Sequence, residues 1–109
     1  MDAESIFGGM IALNLQEVKN QVYRTIDDNA AQIVQLTQEL ERTPELGFKE
    51  TKTAAAVAKF LGAAGYACRE GLALTGVKTS LNPGAAGPNV AVIGELDAVV
   101  CPDSPTADP

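Results

Sequence analysis

Apolar residues recur mostly at three- and four-residue steps through the first third of the chain: Val18, Val22, Ile26, Ile33, Leu36 and Leu40. That spacing is one face of an α-helix. It predicts a helix over residues 15–42, about 42 Å long at 1.5 Å per residue. The other side carries Gln16, Lys19, Gln32, Gln35, Gln38 and Glu39, the composition of a solvated face. Asn14 precedes the stripe with Glu17 three positions on, a capping-box arrangement with Asn in place of Ser or Thr. The stripe has a gap where Asn29 and Ala30 stand, and Asp27, Asp28 and Asn29 leave a break in mid-helix open. The same gap favours packing within a domain over a coiled-coil seam. Pro44 ends the pattern, because a residue before proline is pushed toward extended geometry. A second helix follows over residues 49–64, with Val57, Phe60, Leu61 and Ala64 inward and Gly65 as a left-handed C-cap.

The texture then changes. Residues 66–69 and 77–81 read as short strands, and "NPGAAGP" at 82–88 as a turn-rich connector. Residues 89–96 form a nearly unbroken apolar run, the pattern of a strand covered on both faces. The fold class is therefore α/β: two helices and then three strands, the last two an antiparallel hairpin. Residues 1–13 read as a loose leader and 14–100 as the domain portion. Residues 101–109, "CPDSPTADP", have three prolines and no periodicity, and read as a disordered tail. The 89–96 strand has one sequential neighbour. It needs a further partner, or it is an exposed edge through which the chain self-associates.

Composition narrows the function. The chain has 109 residues, enough for one small core. Hydrophobic residues make up 46%, but alanine supplies much of that share and tryptophan is missing, so the expected core is shallow. The net charge is −6 and the 8 Lys and Arg are scattered, which disfavours nucleic acid and anionic membrane surfaces as partners. The apolar stretch at 6–15 lacks the basic start of a signal peptide and is too short to span a bilayer. Two cysteines, Cys68 and Cys101, build no disulfide framework and fit a reducing compartment, so the expected location is the cytoplasm. The absence of histidine limits every enzymatic reading, since most hydrolytic metal sites and most Ser or Cys nucleophiles use one. Cys101 has no histidine to activate it, and Cys68 reads as a core thiol. "NPGAAGP" lacks the Gly-Lys-Ser/Thr ending of a phosphate loop.

The candidate chemistry lies at the end of the apolar run, in Glu95 and Asp97. Residues two apart in a strand share a face, about 7 Å from one another. Two such carboxylates suit metal binding, orientation of a metal ligand or general acid–base work. On pattern alone they fit better as the point where a strand leaves the core for water.

Three segments stand in a recognisable order: "ELERTPELGFKETKTAAAVAKFLGAAGY", "LTGVKTSL" and "GPNVAVIGELDAV". The most specific pieces are Pro44-Glu45-Leu46-Gly47-Phe48 with Glu50 and Thr53, then Thr75-Gly76-Val77, then Glu95-Leu96-Asp97-Ala98. Together they resemble the N-terminal part of the aminoacylase and metallopeptidase family twenty superfamily, in its amidohydrolase branch. The resemblance implies a three-layer catalytic domain on a mixed sheet. It also implies a pair of divalent metals, zinc or manganese, and hydrolysis of a small-molecule amide substrate: N-acyl amino acids, amino-acid conjugates or aminobenzoyl-glutamate-like compounds. In such sites the metals lower the pKa of a bridging water and a glutamate is the general base. Asp97 matches the family aspartate that orients a metal ligand, and Glu95 stands where many members have a metal-binding histidine. An acidic residue there resembles the amidohydrolase branch, whose Cys-Gly-His motif is expected past Pro109 along with the base glutamate. The family often has histidine where Glu41 or Thr43 stands. These residues alone are thus expected to bind no metal and to be inactive as an enzyme. The alternative is a non-catalytic interaction or oligomerisation module. Glu45 and Glu50 read as ties across the helix–helix connection rather than as chemistry.

Overall fold

The computed structural model describes residues 14–81, 84 and 86–106. The expected leader at 1–13 lies outside them, as do residues 82, 83 and 85 of the connector and the last three residues. Helix α1 is Leu15–Glu41, helix α2 is Thr51–Ala63, strand β1 is Cys68–Leu72 and strand β2 is Gly76–Thr79. The chain divides into two compact units, Met1–Ile33 and Val34–Pro109, with the boundary inside α1.

In the first unit, Asn14 caps α1 as its sequence foretells: its side-chain oxygen accepts the Gln16 N–H at 3.0 Å, and its carbonyl accepts the Val18 N–H at 3.1 Å. The break left open at 27–29 does not form. Asn29 turns its side-chain amide back to the Thr25 carbonyl (2.7 Å), and the Thr25 hydroxyl bonds the Gln21 carbonyl (2.9 Å). These polar side chains hydrogen-bond along the helix instead of competing with it. No residue of α1 is buried, so its apolar stripe has no complete cover among the described residues.

In the second unit, α2 packs on both strands. Its buried residues are Thr53, Ala54 and Ala58, while Val57, Phe60 and Leu61 are half-buried and Ala64 is exposed. The inward face is thus rotated toward the small side chains, which allow the helix close to the hairpin; the Cys68 thiol lies 3.9 Å from the Ala58 carbonyl. Each buried alanine removes one methyl from water, about 0.8 kcal/mol per carbon, so these two side chains contribute little by themselves. Gly65 ends α2 at φ +89. Its N–H bonds the Gly62 carbonyl (3.0 Å) and the Tyr66 N–H bonds the Leu61 carbonyl (3.0 Å), the two bonds of a Schellman cap.

Strands β1 and β2 pair antiparallel, Cys68 with Thr79 and Arg69 with Lys78, then Leu72 with Gly76. Glu70 and Gly71 therefore oppose Val77 alone, and Gly71 takes φ +73, the left-handed conformation such a bulge favours. The expected hairpin between 77–81 and 89–96 is corrected by this pairing. Residues 89–96 lie in no helix or strand, and Val92 and Ile93 are 97% and 89% exposed. A strand exists through its ladder, and this run has no ladder partner among the described residues. The α/β class holds, with two strands in place of three among the described residues. Residues 101–106 contain turns, one closed by the Ser104 N–H on the Cys101 carbonyl at 3.1 Å, and Cys101 is exposed. No described helix is long and apolar enough to cross a membrane.

Candidate functional site

The turn between α1 and α2 organises the site. The Lys49 N–H bonds the Leu46 carbonyl at 2.9 Å and closes a four-residue turn, with Phe48 at φ +62. A left-handed aromatic residue is uncommon and stores strain. The turn carries Glu45 back over the start of α2. There its Oε2 accepts the Thr53 N–H (2.8 Å) and the Thr53 hydroxyl (2.9 Å), and its Oε1 accepts the Lys52 N–H (3.2 Å) and the Thr51 hydroxyl (3.4 Å). Glu50, at the N-cap position itself, makes no side-chain cap. Glu45 thus satisfies the unpaired N–H groups of α2 and places a negative charge at the positive end of its dipole. The Thr53 N–H bond, more than any other contact, holds the Glu45 pKa below the ordinary glutamate value.

Glu50 is 7% exposed. Its Oε2 accepts the Thr75 hydroxyl at 2.7 Å, which fastens the β1–β2 turn to the start of α2. That bond chiefly lowers the Glu50 pKa, with backbone N–H groups adding to it and burial opposing it. Gly76, next to Thr75, is required by its neighbour: a Cβ there would stand 2.6 Å from the Leu72 carbonyl oxygen.

The third segment joins through the backbone. The Ala98 N–H bonds the Glu45 carbonyl at 2.7 Å. This brings Glu95 and Asp97 to a cavity of about 760 Å³ that Glu45, Glu50, Thr75 and Gly76 also line. A Cβ on Gly47 would lie 3.9 Å from Asp97 Oδ2 and 4.0 Å from Glu50 Oε1, so these two carboxylates flank the 46–49 turn. Both Glu95 and Asp97 are exposed. They reach the cavity from a segment outside any strand, so the 7 Å spacing of a strand face does not describe them. The Pro-Glu-Leu-Gly-Phe, Thr-Gly-Val and Glu-Leu-Asp-Ala pieces, dispersed over 55 positions in the sequence, meet here (44 to 98).

The donor set does not suit a resident metal. The Glu45 and Glu50 carboxylates are engaged by N–H and O–H donors that a cation would have to displace. Among the described residues, no three of the Cys, Asp and Glu side chains group as a metal site requires, and histidine is missing from the chain.

The chain is similar to a protein of Bacillus subtilis (strain 168) that carries the name "Putative amidohydrolase YhaA", with 25% identity over 91 residues. The alignment takes in 84% of this chain and 23% of that protein, so the chain spans about a quarter of its relative's length. No protein-family model and no solved structure matches. These findings support a distant amidohydrolase-like relationship.

Proposed function

We propose that these residues form one wall of the active site of a metal-dependent amidohydrolase, acting in the cytoplasm on the amide bond of N-acyl amino acids, amino-acid conjugates or aminobenzoyl-glutamate-like compounds. The observation that carries the reading is the meeting of three sequence-distant motifs around one cavity, with Asp97 at its edge. The similarity to YhaA supports the reaction class. Within this wall Glu45 and Glu50 build the frame, and Asp97 presents a carboxylate that orients a ligand group. The ligands of a zinc or manganese pair and the general base come from residues outside these 109, so the chain alone is inactive.

Two assays test this. The 109-residue chain with manganese or zinc should not hydrolyse N-acetyl amino acids; clear turnover would refute the one-wall reading. The same chain, put in place of the matching segment of YhaA, should give a protein that hydrolyses such substrates. A folded chimera with no amidohydrolase activity, beside an active parent, would sink the assignment.

The exposed apolar run at 90–100 favours a second reading, a module that pairs with a second copy of itself. Val90, Val92, Ile93, Val99 and Val100 all stand largely in solvent. Sedimentation of the purified chain decides it, since a monomer at high micromolar concentration excludes this reading.

A further inference from the structure

We propose that Glu45 is the positioning residue of Asp97. Residues 86–100 lie in no helix or strand, and among the described residues a single backbone hydrogen bond ties them to the rest of their unit: Ala98 N–H to the Glu45 carbonyl, 2.7 Å. Asp97 is the adjacent residue, and its carboxylate lies against the 46–49 turn that Glu45 opens. A carboxylate that orients a ligand must be held within about 0.5 Å. An unpaired segment cannot supply that precision by itself. Glu45 supplies it from both of its ends. Its side chain is fixed on the first turn of α2 by Lys52 and Thr53, and its carbonyl then grips Ala98 from that fixed place. The importance of Asp97 rests on the amidohydrolase reading above, whereas the coupling from Glu45 to Ala98 does not.

Amide hydrogen exchange on the 109-residue chain tests the coupling without any activity assay. In Glu45→Ala the Ala98 amide should exchange about tenfold faster, while the β1–β2 ladder amides and those of residues 57–63 stay within about twofold. Glu45→Gln keeps one acceptor oxygen and should fall between. Three results overturn the proposal: an Ala98 amide unprotected in the unsubstituted chain, an Ala98 rate unchanged in Glu45→Ala, or a uniform loss of protection across ladder and helix in both variants. An inactive YhaA chimera would leave this result untouched, so the two proposals fail separately.

Discussion

The hydroxyl of Thr75 donates to Oε2 of Glu50 at 2.7 Å, across 25 positions of sequence. This bond joins the tip of a bulged hairpin to the first turn of a helix, and it is the sole hydrogen-bonding use of the Thr75 side chain among the described contacts. Among the described residues Ala54 and Ala58 are the fully buried apolar ones, with larger side chains such as Val57 and Phe60 only half-buried, so such polar ties matter to the second unit's cohesion.

Thr75→Val keeps the shape of the side chain and removes the donor, leaving Glu50 buried with one partner fewer. It should lower the urea midpoint more than Thr79→Val, whose hydroxyl serves an exposed carbonyl, that of Ala67. Thr75→Ser should restore most of the loss. Equal midpoints for Thr75→Val and the unsubstituted chain would show that the tie contributes nothing.

Glu45 and Glu50 both have folded pKa values below the ordinary glutamate value of 4.5. A carboxylate lowered on folding contributes stability that is complete above its unfolded pKa and fades as pH falls through its folded one. The helical circular dichroism of the chain should therefore hold from pH 7 to about 5 and decline below about 4.5. In the double variant Glu45→Gln, Glu50→Gln the chain should be less stable at pH 7 and its dependence on pH flatter. An unchanged acid profile in that variant would remove these two groups as its cause.

Gly76 and Gly62 predict opposite results for the same substitution. A Cβ on Gly76 meets the Leu72 carbonyl oxygen at 2.6 Å, so Gly76→Ala should cost roughly 1–3 kcal/mol as the hairpin spreads. A Cβ on Gly62, inside α2, meets nothing within 4 Å, so Gly62→Ala should add roughly 0.5–1 kcal/mol. Urea unfolding of both variants measures the two signs.

Val92 stands almost wholly in solvent within the apolar run. If the chain pairs through this run, Val92→Lys should convert a concentration-dependent dimer into a monomer in sedimentation equilibrium, while Asp97→Ala leaves the association unchanged. A dimer that survives Val92→Lys would place the contact elsewhere.

Residue pattern alone determined the helices. The α1 stripe, its Asn14 cap, the stop before Pro44 and the Gly65 terminus are local matters of period, capping and backbone freedom, and each is visible within a few positions. That Glu45 ties the helix–helix connection was legible as the plain structural reading of its place there, whereas the reach of Glu50 to Thr75 on the hairpin was not. Strand pairing and the gathering of Glu45, Glu50, Thr75 and Asp97 depend on contacts between distant segments and emerge with the folded chain. The apolar run at 89–96 has every local mark of a strand, yet a strand is defined by a neighbour's hydrogen bonds, which composition does not encode. The inward face of α2 likewise turned to Ala54 and Ala58, because close approach of a hairpin rewards small side chains over the larger apolar ones that periodicity selects.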